Sequence, residues 1–320
     1  MPTEAPLSPP QHTHISIQYN QWQEYALWDS GNFQKLERFG DILLIRSEPK
    51  AWWKPVLSQQ QWSKARAVCD AEGRWQFEKD CPREWIIPYQ QLRFQIRCTD
   101  MSKHVGIFPE QSPHWEWIKN QLQQAKKNKP TAGLPTEPIR VLSLFGYTGA
   151  SALVAASNGA VVTQIDASKP ALSWAKHNQQ LCGLSSTPIR FLLDDALKFL
   201  KRESRRNSHY DALIIDPPSF GRGPKGEVWK AEKSLPTLLE HCAQVLSDQP
   251  LFILLNMYAL EASALMLGNL LSEMIGERGS IEIGELALQP NYGNRPLPLA
   301  IFARWSITCL LYTSPSPRDS

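Results

Sequence analysis

The run Tyr210 to Gly223, YDALIIDPPSFGRG, sets a carboxylate, two prolines and an aromatic ring directly behind an apolar strand, Ala212 to Ile215. Pro217 and Pro218 fix the backbone and remove two amide donors, so carbonyl oxygens and the Asp216 carboxylate are left facing the cleft as acceptors. An amino-bearing group could dock on such a cluster. Phe220 could offer a flat face to a nucleobase, although a phenylalanine here serves equally well as a core residue. The loop beyond is basic, with Arg222, Lys225, Lys230 and Lys233, and Lys201 to Arg206 (KRESRR) adds charge. Phosphates could meet these groups, or both runs could be solvated surface.

A second cluster lies upstream. Arg140 to Asn158 reads RVLSLFGYTGASALVAASN, a strand, a turn with Gly146 and Gly149, and a helix opening near Ala150. Glycines here allow a tight turn and a close approach to a ligand at the carboxyl end of the strand. A nicotinamide enzyme would show G-x-G-x-x-G, its middle glycine admitting a pyrophosphate. The G-x-x-G spacing favours a nucleoside ligand without phosphate. Asp166 ends the next strand twenty residues beyond Gly146, where an acid can hold ribose hydroxyls or cap the following helix. Asp194 and Asp195 follow the third strand, Ile189 to Leu192; either could accept from an adenine amino group or serve as an N-cap.

The elements that must position these residues divide the chain in two. From Arg140 onward, short apolar β-rich runs alternate with amphipathic segments of helix length, the pattern of a doubly wound α/β sheet. Nine of the twelve tryptophans lie at or before Trp117, among short runs such as Ile42 to Ile45 and Trp85 to Ile87, which read as a smaller, mostly β N-terminal domain. Trp52, Trp53 and Trp62 fit its core better than base stacking. Lys126 to Pro138 reads as an exposed connection. The expected organisation is a disordered 1–14, the β domain over 15–100, a connecting region over 101–138, the catalytic sheet over 139–305 and a tail over 306–320 that reads either as non-native read-through or as a native disordered tail.

Composition narrows the classes. With 320 residues, 42% hydrophobic and 20% charged, the chain is of soluble-enzyme type, and no apolar run reaches the roughly 20 residues of a membrane helix. The N-terminus lacks a secretory pattern, so a cytoplasmic location is expected. Cys69, Cys81, Cys98, Cys182, Cys242 and Cys309 are scattered, with no spacing for zinc or a redox pair, and no metal site is predicted. A net charge of +3 does not by itself argue for nucleic acid.

The phrases LSLFGYTGASAL, TQIDASKPALSWAKHN, LLDDALKFL and IIDPPSFGRG, over Met101 to Trp305, resemble class I S-adenosylmethionine (SAM)-dependent methyltransferases. The resemblance is narrower to the branch related to bacterial large-subunit ribosomal RNA methyltransferases, which modify cytosine carbon or guanine nitrogen; LWDSGNFQKLERFG echoes the same branch. It implies a seven-stranded, Rossmann-like sheet, SAM as cofactor and an RNA substrate. It further implies a hairpin over Lys103 to Gln111 with Glu110 and Gln111 beside the cofactor. Phe145, Gly146, Tyr147, Thr148 and Gly149 would wrap the methionine part, Asp166 would hold ribose and Asp194 or Asp195 adenine, with Asn178 and Asp216 in addition. Asp216, Pro217 and Phe220 would form the transfer site. His104 and His114 are assigned structural roles.

Carbon methylation of cytosine needs a thiolate to activate the ring. Related enzymes carry a cysteine after the fifth strand, but this chain has LFILLNMYAL at Leu251 to Leu260, and Cys242 lies on the helix before it. A base nitrogen is therefore the favoured acceptor. The alternatives are a methyltransferase of protein or small molecules, a nicotinamide-dependent oxidoreductase, and a non-catalytic RNA-binding module.

Overall fold

The computed structural model describes residues 15–127, 137–258, 262–276 and 278–307. The expected disordered 1–14, most of the connection after Lys127 and nearly all of the tail lie outside them.

The N-terminal half contains strands β1 (Ile15–Tyr19), β2 (Tyr25–Gly31), β3 (Gln34–Phe39) and β4 (Ile42–Ser47), a short helix α1 (Gln59–Trp62), then β5 (Ala67–Cys69), β6 (Trp75–Phe77), β7 (Glu84–Tyr89) and β8 (Leu92–Arg97). Strands β2 to β6 form one sheet in sequence order, and β7–β8 is a separate hairpin. A 3-10 turn, Pro109–Gln111, leads into α2 (Ser112–Lys127).

The second half alternates as expected: β9 (Arg140–Leu144), α3 (Ala150–Ser157), β10 (Val161–Asp166), α4 (Lys169–Leu181), β11 (Ile189–Leu193), α5 (Ala196–Arg205) and β12 (Ala212–Ile215). A small antiparallel pair follows, β13 (Phe220–Arg222) with β14 (Val228–Lys230). Then come α6 (Ala231–Gln244), β15 (Phe252–Tyr258), α7 (Ala264–Ile275), β16 (Ser280–Leu288) and β17 (Leu297–Ser306). The sheet order is β1-β16-β17-β15-β12-β9-β10-β11, with β17 antiparallel to both neighbours.

The seven strands of the second half form the expected doubly wound sheet. The eighth, β1, comes from the N-terminal half and pairs in parallel with β16. Strand β12 reads ALII without alternation because both of its faces are covered. Ala212 and Ile214 join the core beneath α2 and α3, while Leu213 and Ile215 join the core beneath α5, α6 and α7. The first of these cores also takes in Trp22, Tyr25 and Phe39. The apolar core thus runs across the seam, and the N-terminal tryptophans explain it: Trp115 of α2 is buried against Trp22 and Tyr89, with ring centroids 5.9 and 4.9 Å away.

Candidate functional site

The chain leaves β9 towards β10 on one side, while β12 and β15 lie on the other, and this divergence opens a crevice at the carboxyl ends of the strands. A cavity of about 650 Å³ occupies it. Phe145, Tyr147, Asp166, Asp194, Asp195, Asp216 and Pro217 line one side, with Glu110 among them. A recess of about 50 Å³ beside it is lined by Gln111, Phe145 to Thr148 and Asp216. The cavity has the size range of small-molecule and cofactor sites.

The turn after β9 is strained at two residues with side chains as well as at a predicted glycine. Phe145 and Tyr147 have φ of 58° and 49°, in the left-handed region that side chains rarely adopt, together with Gly149 at 89°. Gly146 is required for space: a Cβ there would lie 2.4 Å from the Gln164 side chain. Hydrogen bonds hold the strained turn. The Tyr147 amide donates to Asp166 Oδ2 (2.8 Å) and the Gln164 amide donates to the Tyr147 carbonyl (2.9 Å). Strain of this kind persists only where its surroundings over-determine it.

Asp166 does not cap α4; Ser168 does, accepting from the Ala171 amide (3.3 Å). Asp166 instead braces the turn through Tyr147 and accepts from the Ser168 amide (2.8 Å), which leaves lone pairs facing the cavity. Burial pushes its carboxyl above the ordinary range. Asp195 caps α5 by accepting from the Lys198 amide (2.9 Å), and Asp194 pairs with Arg202. Both line the cavity. Arg206 pairs with Glu203, so the basic run on α5 is partly neutralised within the fold.

Asp216 directly follows β12 and is half-buried. Its Oδ2 accepts from Gln111 Nε2 (2.8 Å) and its Oδ1 from Asn256 Nδ2 (2.7 Å). Burial pushes its carboxyl up to about 7, although both amide donors pull the other way. Gln111 also donates to the Tyr258 hydroxyl (3.2 Å). Behind Asn256 runs a buried chain: Asn256 Oδ1 faces His114 Nε2 (3.3 Å), and His114 Nδ1 takes the Arg304 guanidinium (2.7 and 3.0 Å). Arg304 is an ion-pair partner of Glu282 (3.7 Å). Since Arg304 only donates, Nδ1 must accept and Nε2 must carry the proton. Burial, and then the Arg304 charge, hold the His114 pKa well below its ordinary value.

Several expectations change. Lys103 to Gln111 is an irregular segment ending in the 3-10 turn, and the hairpin of this region is β7–β8. It still brings Glu110 and Gln111 to the cavity. Phe220 is 54% exposed on β13 and outside the cavity lining; Tyr258 and Trp229 supply the rings there. The Pro218 carbonyl accepts from the Trp229 indole (2.6 Å), which leaves it one lone pair. Asn178, wholly buried, lies behind the turn and lines neither recess nor cavity. It accepts from the Gln95 amide (3.0 Å) and donates to the Thr148 carbonyl (3.0 Å), while the Thr148 hydroxyl donates to the Gly106 carbonyl. Asn178→Ala leaves two buried backbone groups unpaired and is expected to cost about 1–3 kcal/mol in denaturant unfolding.

Asn256, Tyr258, His114 and Arg304 escaped the sequence reading as site residues. The available signal was a polar residue inside an apolar strand: asparagine in FILLNMY and arginine in LPLAIFARWS. Nor did sequence place Lys35, Arg46, Lys50 and Lys103 of the N-terminal half on the cavity wall, where the fold brings them.

Comparison with known proteins gives consistent results. A family model described as Conserved hypothetical protein 95 matches residues 113–228. The SAM-dependent methyltransferase from Agrobacterium tumefaciens is 39% identical, with a TM-score of 0.86 over 93% of this chain and 96% of that one. The ribosomal RNA large subunit methyltransferase K/L of Hahella chejuensis is 32% identical over 180 residues, 55% of this chain and 22% of the relative. The protein of the same name from Magnetococcus marinus is 27% identical over 246 residues, 74% of this chain and 30% of the relative. The chain therefore spans less than a third of the length of these two curated relatives.

Proposed function

Because the chain belongs to the SAM-dependent methyltransferases, we propose that it methylates a nitrogen of an RNA base, with ribosomal RNA the favoured substrate. The observation that carries this reading is one cavity joining the strained turn and Asp166 to Asp216, a carboxylate held by two amide donors. When bound, SAM supplies an activated methyl group on a sulfonium.

The residues fit that cofactor. The turn Phe145 to Gly149 would wrap its methionine part, the free lone pairs of Asp166 would take ribose hydroxyls, and Asp194 or Asp195 would meet adenine. Glu110 and Gln111 close the same space, with Gln111 orienting Asp216. Little is then required at the acceptor beyond alignment and a place for a proton. With one Pro218 lone pair taken by Trp229, the Asp216 carboxylate, charged when ionised, is the stronger acceptor for an N–H of the target amino group. A carboxyl near 7 can accept that hydrogen bond when ionised and take the proton the nitrogen sheds as it is methylated.

A nitrogen acceptor is supported by the thiols. Among the described residues no cysteine lines the cavity, and Cys242 is wholly buried on α6, its thiol pushed well up by burial. A cytoplasmic location belongs to this proposal. No helix among the described residues is long and apolar enough to cross a membrane.

Calorimetry with S-adenosylhomocysteine (SAH) should show binding, weakened at least tenfold by Asp166→Ala, since one lost charge-assisted hydrogen bond costs about 1.5–3 kcal/mol. Total RNA incubated with the protein and methyl-labelled SAM should yield a labelled base. Label found only in protein or small molecules would overturn the RNA reading while leaving the enzyme class intact.

A further inference from the structure

The part of the cavity lining contributed by the N-terminal half carries four cationic side chains, Lys35, Arg46, Lys50 and Lys103. Two are neutralised in place. Arg46 Nε lies 2.7 Å from Glu37 Oε2, and Lys35 Nζ lies 3.4 and 3.6 Å from Glu37 and Glu48. Burial would push the Glu37 carboxyl up, but Arg46 and Lys35 hold it at about 2, so it stays ionised.

Among the described residues, Lys50 and Lys103 have no carboxylate within ion-pair distance. Each ammonium instead donates to a backbone carbonyl, Lys50 to Leu299 (2.7 Å) and Lys103 to Ser47 (3.2 Å). An ammonium has three donors, so most of their capacity is left for another partner. Desolvation by the wall lowers both pKas, although Glu48, beyond ion-pair distance, pulls each the other way.

Beside Lys50 stands Trp52, 79% exposed, the most exposed large apolar side chain among the described residues. Its indole N–H donates to the carbonyl of Pro49 (2.6 Å), and Pro49 itself lines the cavity. The ring is thus pinned at the rim with its polar edge satisfied and its faces available. Trp53 and Trp62, by contrast, turn inwards to Ser30 and Asp29.

We propose that Lys50, Lys103 and Trp52 form a subsite for single-stranded RNA flanking the methylated base, the two ammoniums taking a backbone phosphate and the indole stacking on a neighbouring base. This rests on the RNA reading above and adds to it where the strand lies. Phosphate contacts fix register, and aromatic stacking serves any base.

The test uses the full chain, a fluorescein-labelled oligouridylate as probe, and anisotropy in the presence of SAH. Trp52→Ala should weaken binding roughly 5- to 150-fold, the effect of one lost stacked base, and Trp52→Phe should recover part of it. Lys50→Gln should weaken binding and reduce the slope of log Kd against log salt by about 0.7, the share of one phosphate on a single strand. SAH affinity measured by calorimetry should stay unchanged in all three variants.

Weakened SAH binding by Lys50→Gln would place the ammonium on the cofactor carboxylate and overturn the subsite. So would equal oligouridylate affinity of Trp52→Ala and wild type, or no oligouridylate binding by a wild-type protein that labels total RNA. Absence of label in any RNA would instead remove the RNA reading on which the subsite depends.

Discussion

Asp216→Asn is expected to lower kcat by about 10²- to 10⁴-fold, the usual contribution of a positioned acid or base, while SAH affinity changes little. In the wild type the ionised carboxylate is the competent acceptor, so kcat should rise with pH through an apparent pKa near 7, the value to which burial pushes the group. The variant should lose that rise. The same residue makes the opposite prediction for stability. Its folded pKa lies above the ordinary 3.8, so the folded state holds the proton more tightly than the unfolded chain. The penalty for ionising it is absent below about pH 4, grows as pH rises, and is complete above about 7, where it amounts to roughly 4 kcal/mol. Asparagine carries no such penalty. It cannot accept from both Gln111 and Asn256, which costs about 1–3 kcal/mol at every pH. Relative to wild type, the variant should therefore gain roughly 2–3 kcal/mol between pH 5 and 8 in denaturant unfolding. A variant with wild-type kcat would remove Asp216 from the chemistry. A flat stability difference would show that its pKa is ordinary.

Why Asp216 and Gln111 were legible in the sequence and Asn256 and Tyr258 were not has a physical explanation. A carboxylate followed by two prolines interrupts an apolar strand, and that pattern is local, as are the turn after β9 and the acids at the ends of β10 and β11. Strand order, helix starts and the carboxyl-end cleft follow from the same local periodicity. Asn256 and Tyr258 both sit on β15, which only the sheet order brings beside Asp216, and Gln111 reaches Asp216 from the 3-10 turn. Phe220 marks the limit of such local reading. Its place next to the motif suggested a ring in the site, but β13 is paired with β14 and holds it outwards. The cationic wall was further from reach, because nothing in the N-terminal sequence says that its sheet packs across the cleft. Composition changes near residue 138, yet buried tryptophans carry an apolar cluster across that point.

Arg304→Met should show whether the buried chain behind Asp216 positions it or merely fills space. Arg304 saturates His114 Nδ1 and so forces the imidazole proton onto Nε2, against Asn256 Oδ1. That contact turns the Asn256 amide nitrogen towards Asp216. Its guanidinium also packs over Phe302 and Trp117, 4.5 and 5.4 Å from the ring centroids, and methionine keeps part of that apolar contact. Removing one partner of a buried charged network typically costs 3–5 kcal/mol; about 3 is expected here, because Glu282 is 39% exposed and water can take over its charge. The functional effect follows from donor bookkeeping. Without Arg304 the imidazole can place its proton on Nδ1 and present Nε2 as an acceptor to Asn256 Oδ1. Two acceptors repel, so the amide turns over and its carbonyl oxygen faces the Asp216 carboxylate. An ionised carboxylate beside an acceptor is disfavoured, and the group keeps its proton to higher pH. The midpoint of the kcat profile should therefore move upward from about 7, with Arg304→Lys, which restores a charge and a donor, recovering part of the shift. Loss of stability with an unmoved midpoint would mean that the chain from Glu282 to Asn256 holds the core together and leaves the ionisation of Asp216 to burial alone.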